Sequence, residues 1–152
     1  MARSREYAAS ITVSIAQLEQ MRDAQNYSYI YGHWGDGSAD KVGLTGALAG
    51  YSATILGLIF VASTPAGIAV GITSLVASLF ATTGNDTGHV IQNGVTSMTE
   101  MIRGLKPLTR YDLFQIRFPF LEFSLQDGTV IRFISGNGVI ERAHSGSGWE
   151  IV

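Results

Sequence analysis

The chain has 152 residues, no cysteine, three histidines and a formal net charge of −2, which suits one domain or a small helical part joined to a small sheet. The missing cysteines exclude a disulfide framework and any cysteine-based metal or nucleophile site, and no basic face offers a footing for nucleic acid. Charged residues make up 14% of the chain and mean hydropathy is +0.22, whereas about 25% charge is usual in water-soluble domains.

The N-terminus does not read as a signal peptide, because Ser, Thr and Gln interrupt its apolar residues. Tyr7, Ile11, Ile15, Leu18 and Met21 recur at spacings of four and three, which predicts an amphipathic helix over Ser4–Gln25, capped by Ser4 and facing the core. The next segment, Asn26–Lys41, reads as a loop with Tyr27, Tyr29 and Tyr31 on one face of extended chain, and Gly35-Asp36-Gly37 as a turn. Tyr29, Tyr31 and Trp34 are candidates for a membrane-interface belt, since such side chains prefer one apolar and one wet side.

From Val42 to Asn85 there is no Asp, Glu, Lys, Arg or His across 44 residues. An arm from Val42 to Ala62, a tip at Ser63, Thr64 and Pro65, and an arm from Ala66 to Thr83 predict a hydrophobic helical hairpin. As helices the arms would span roughly 31 and 27 Å against a bilayer core of about 30 Å. Of the 44 residues, 25 are Gly, Ala, Ser or Thr, and both Gly46–Gly50 and Gly67–Gly71 form GxxxG. Glycines four apart share a helix face and let backbones approach, so Gly46, Gly50, Gly67 and Gly71 are the expected helix-packing and oligomerisation positions. Leu58→Asp, near the end of the first arm, is expected to prevent insertion.

This hairpin resembles the hydrophobic hairpin of colicin-type pore-forming domains, over about 44 of 152 residues. The resemblance implies two Gly/Ala-rich helices held inside a soluble bundle until they meet a membrane. The chain departs from that family in lacking the many amphipathic helices wrapped around the hairpin.

Asp86–Lys106 reads as a second amphipathic helix, with Asn85 or Asp86 as cap, Gly94 as a weak point, and Gly104 and Pro107 at its end. The rest reads as strands. Phe114, Ile116, Phe118 and Phe120 alternate, then Leu121, Phe123 and Leu125 shift the phase by one, which predicts a bulge or break at Pro119. Asp127-Gly128 and Gly136-Asn137-Gly138 read as turns, Thr129–Ser135 and Val139–His144 as strands, and Trp149–Val152 as a short last one. The expected fold is thus α+β: a helical part over residues 1–107, holding the hairpin 42–85, followed by an antiparallel β-meander of three to four strands over 108–152.

No catalytic, cofactor-binding or metal site is expected. His33, His89 and His144 lie more than 50 residues apart, Ser145 breaks the GxSxG pattern around Ser147, and Gly136-Asn137-Gly138 does not precede a helix. The expected function is a membrane-inserting or membrane-associated protein that oligomerises through its hairpin, with a pore-forming toxin or effector as the sharpest form. Its expected partners are further copies of itself and the lipid bilayer, and its expected location is at a membrane or outside the cell by a signal-peptide-independent route. The alternative is a self-assembling structural subunit, in filaments or shells, packed through the hairpin. A soluble binding module or inhibitor that buries the hairpin is the third class.

Overall fold

The computed structural model describes residues 3–79 and 84–152. Its elements run β1 (Arg3–Val13), α1 (Ile15–Gly32), α2 (Lys41–Leu48), α3 (Ala53–Phe60), α4 (Pro65–Leu79), α5 (Gly84–Leu105), β2 (Leu113–Ser124), β3 (Val130–Ile134), β4 (Val139–Ser145) and β5 (Gly148–Glu150). The α+β class holds, and the helices precede an antiparallel set of C-terminal strands.

The N-terminal segment differs from the predicted helix. Arg3–Val13 is a strand paired along its whole length with β2, from Arg3 opposite Ser124 to Val13 opposite Phe114. Helix α1 starts after it, at a capping box in which Gln17 N donates to Ser14 Oγ (3.1 Å) and Ser14 N to Gln17 Oε1 (2.9 Å). It then runs through the segment expected to be extended, so Tyr27, Tyr29 and Tyr31 do not share a face. It ends on His33 in the left-handed region (φ 48, ψ 52). Because β1 joins the C-terminal sheet, a boundary at 107/108 does not divide the packing: one buried cluster runs from Ile11 to Ala143.

Strand β2 is the spine of the sheet. Its first edge carries β1, and its second carries β4 over Leu113–Arg117 and β3 over Phe120–Ser124. The strand after Gly136-Asn137-Gly138 therefore returns beside β2 rather than beside β3. Pro119 sits at the changeover. Pairing with β1 runs through it without a bulge, Ala8 standing opposite, and its carbonyl accepts from Ser135 N (3.0 Å). A proline, which has no N–H to give, is tolerated in a central strand where the neighbouring ladder is interrupted. The register irregularity lies instead against β4, between Gln115 and Ile116. The phase shift has another cause: Phe120, Leu121, Glu122 and Phe123 are all buried, so both faces of β2 are covered at this end. Asp127-Gly128 lies in a hairpin turn, but the loop has three residues rather than two: Ser124 pairs with Val130, Leu125 N donates to Thr129 O and Gly128 N to Leu125 O, with Gly128 at φ 89.

Candidate functional site

Among the described residues the charge-free segment carries three helices, α2, α3 and α4, each started by its own side-chain cap, and its last two residues open α5. Asp40 Oδ1 accepts from Gly43 N (2.9 Å), Ser52 Oγ from Ile55 N (3.3 Å), and Thr64 Oγ1 from Gly67 N (3.0 Å). Pro65 opens α4, a position where its missing N–H is no loss. The expected single first arm is thus broken by residues 49–52 into two eight-residue helices of about 12 Å each, and α4 is about 22 Å long. The break arises because Ser52 offers the backbone a cap in the middle of an apolar run. The last four residues of the expected second arm, 80–83, lie outside the described residues. Within the segment α4 packs on α2, while α3 lies against α1 and β3.

Its inner face is core. Leu44, Leu48, Leu56, Ile59, Phe60, Ile68, Ile72 and Leu75 have no exposed surface. Phe133 of β3 takes Trp34 and Phe60 edge-on, with centroids 5.8 and 6.0 Å away. Its outer face carries no charge: Val42, Gly46, Ala49, Gly50, Ala53, Thr54, Val61, Ala66, Val70, Ser74, Ala77 and Ser78 are all exposed.

The candidate residues divide by position. Ser63 and Thr64 are exposed and Pro65 half-buried at the α3–α4 junction. Gly46 and Gly50 face open space, whereas Gly71 meets β3, where an added Cβ would lie 3.4 Å from Thr129 Cγ2 and 3.6 Å from Ile131 Cδ1. The two GxxxG stripes therefore do not face one another. It follows that Gly46→Leu leaves stability within about 0.5 kcal/mol of wild type, and any change in oligomer size on sizing chromatography then reports association alone. Gly71→Leu cannot serve that purpose, because it disturbs the fold first. Tyr29 and Tyr31 are half-buried, and Trp34 is only 8% exposed, its Nε1 donating to Ser28 O (3.1 Å). In this fold Trp34 is a core residue packed against Gly88.

A polar chain ties the segment to the sheet. Arg132 of β3 donates through Nη2 to Leu58 O in the last turn of α3 (2.8 Å) and through Nη1 to Tyr7 Oη (3.0 Å), and its guanidinium lies 3.9 Å from the centre of the Phe120 ring. Tyr7 Oη donates to Glu122 Oε1 (2.8 Å), and Arg5 Nε to Glu122 Oε2 (2.7 Å). Burial pushes the Glu122 carboxyl up. The hydrogen bonds from Arg5 and Tyr7, with the charges of Arg5 and Arg132, outweigh burial and hold it below the usual carboxylate value. A depressed folded-state pKa stabilises the fold above the unfolded value of about 4.3, and that stabilisation is lost as pH falls through the folded-state value. Arg5 is exposed, so the effect is on the order of 1–2 kcal/mol. Acid titration of the unfolding free energy should therefore fall more steeply for wild type than for Glu122→Gln; parallel curves would remove Glu122 as the source.

A second polar knot seats α5. Gln25 of α1 is fully buried, and its Oε1 accepts from Ile134 N (2.9 Å) while its Nε2 donates to Ile134 O (2.8 Å) and to Ile91 O (2.9 Å). The amide thus pairs with β3's outer edge as a neighbouring strand would. Sequence reading missed Gln25, since nothing in the pattern of α1 marks a glutamine as buried. It also misread Gly94, where an added Cβ would overlap Ile134 O and lie 2.7 Å from Ile134 C.

The fold brings His33 and His89 into one cleft of about 240 Å³, with Tyr29, Trp34 and Asn85. It also pairs His144 Nδ1 with Asp112 Oδ1 at 2.7 Å, which holds the Asp112 carboxyl below its ordinary value. Among the described residues no three His, Asp or Glu side chains converge as metal ligands. No protein-family model, curated protein or solved structure matches the chain.

Proposed function

We propose that this protein inserts into membranes, carrying its bilayer-seeking segment folded against a sheet in water and associating with further copies once inserted. One observation carries the reading. The stretch Ala53–Leu79 is long and apolar enough to cross a bilayer, yet only 44% of its most apolar window, of mean hydropathy 2.1, is buried. A helix built to be the core of a soluble protein passes the same length test but hides most of its surface. Here the outward residues of the stretch are Ala, Thr, Ser and Val, so nothing ionised has to be desolvated when it leaves the sheet.

Release of a dye from liposomes tests this directly. Wild type is expected to bind and release. Val70→Asp, at a site 41% exposed in the water-stable fold, should keep the fold and suppress release, since a charge at a span's centre costs roughly 2.5–3.5 kcal/mol. Leu58→Asp is a poorer probe because Leu58 packs on the core. Absence of both binding and release by wild type would remove the proposal.

Self-assembly is the second reading, and β1 favours it. It is an 11-residue edge strand whose outer edge has no partner among the described residues, and such edges invite strand addition. Filaments or shells seen by electron microscopy without lipid would favour it over insertion.

A further inference from the structure

Val61, between α3 and α4, has φ 76 and ψ −56. It is the sole β-branched residue at positive φ among those described. This is a γ-turn of the strained hand, which a β-branched side chain adopts only when its surroundings over-determine it. The surroundings here are the end of α3 and the sheet beneath it. In an uninterrupted helix Leu58 O would accept from Ala62 N. In this fold it accepts from Arg132 Nη2 instead, at 2.8 Å. Arg132 thus supplies the hydrogen bond that the helix loses by stopping, and it does so incompletely satisfied, because its Nε is buried without a partner.

Removing the stop has definite consequences. With Val61 in the ordinary helical region, Leu58 O regains its in-helix donor and Arg132 is no longer needed. Ala53–Leu79 then forms one helix of 27 residues, about 40 Å long against a bilayer core of about 30 Å. Pro65 leaves the Val61 carbonyl without a donor and kinks the helix there. Membrane spans tolerate such kinks where Ser or Thr hydroxyls lie alongside, as Ser63 and Thr64 do in sequence.

We propose that α3 and α4 join across Val61 into a single kinked membrane-spanning helix, and that Arg132 is the latch holding them apart in water. This rests on the membrane reading, but it replaces an inserted hairpin with one crossing. The two have different sidedness. The native chain has no cysteine, so Lys41→Cys, Ser63→Cys and Asp86→Cys, all at exposed sites, can each be labelled with a membrane-impermeant maleimide. The protein is first bound to sealed vesicles of mixed phosphatidylcholine and phosphatidylglycerol. One crossing puts positions 41 and 86 on opposite sides, so only one of the two reacts from outside. Reaction at both with protection at 63 would show an inserted hairpin, overturning the single span while leaving the membrane reading intact. Reaction at all three, failure to bind vesicles, or any other pattern would overturn the single span, and the first two would take the membrane reading with it. The hinge has its own readout: Val61→Gly relieves the turn and disfavours the joined helix, and should slow dye release roughly tenfold. An unchanged rate would remove Val61 as the hinge.

Discussion

Gly94→Ala is expected to cost roughly 3–5 kcal/mol of folding stability, lowering the melting temperature by roughly 10–15 °C. In most helices this substitution stabilises by up to about 1 kcal/mol, because alanine restricts the unfolded chain. The sign reverses here because α5 crosses the edge of β3 at backbone contact. A methyl group at position 94 would overlap the Ile134 carbonyl oxygen, and Gln25 Nε2 lies in the same space. Neither neighbour is the free end of a flexible side chain. Backbone would have to move, and with it the hydrogen bonds from Gln25 to Ile134 and Ile91. Gly104 provides the control, since it lies in the same helix with open space where its Cβ would be. Gly104→Ala should raise stability by about 0.5–1 kcal/mol. Thermal unfolding of the two variants side by side gives opposite signs if the contact at Gly94 is real, and like signs if it is not.

The same residues explain how much of this fold could be read in the sequence. Helix α5 and a turn at Asp127-Gly128 were legible because each rests on local pattern, 3.6-residue periodicity in the helix and an Asp-Gly signal in the turn, although the loop is one residue longer than that signal predicts. The N-terminus was misread for a specific reason. Tyr7, Ile11 and Ile15 are four apart, and four is commensurate with both a helical face and strand alternation. The true period appears only when Ala9 and Val13 are included, and the start signal of α1 is Ser14 with Gln17 rather than Ser4. The break in the first arm was hidden by composition, since uniform apolarity masks a single serine cap. Gln25, Gly94 and Arg132 were beyond reach altogether. Their roles are defined by partners 66 to 109 residues away in the case of Gln25 and 74 in the case of Arg132, and nothing local encodes them.

Composition marked the candidate segment but hid its form, and the end of its second arm falls on residues outside those described. Absence of charge over Val42–Asn85 marked it, and the buried half of that stretch is core as any apolar segment of its length would be. Composition does not say that the segment divides into three helices, nor that its two glycine pairs point apart.

Gln25→Leu is expected to be nearly as damaging as Gly94→Ala, at roughly 3–5 kcal/mol, by a different route. Leucine matches the volume of glutamine closely, so packing loss is small. The cost is polar: Ile134 N–H and C=O on the outer edge of β3 lose the Gln25 amide as their partner, and a buried backbone group left unpaired costs about 1–3 kcal/mol. Gln25→Glu separates the polar account from a volume effect. Its ionised carboxylate would accept from Ile134 N but face the oxygens of Ile134 and Ile91 with no hydrogen to give, so burial and those carbonyls raise its pKa in the folded state. A raised folded-state value means the variant is most stable below the unfolded carboxyl value of about 4.3 and loses stability as pH rises through the folded one. Relative to wild type at the same pH, Gln25→Glu should therefore be closest to normal in acid, where the protonated acid has one O–H to give and can satisfy one of the two carbonyls the amide serves. Gln25→Leu should show a deficit that does not vary with pH. A Gln25→Glu deficit that is equally flat would mean that the hydrogen bonds to Ile134 and Ile91 do not hold α1, α5 and β3 together.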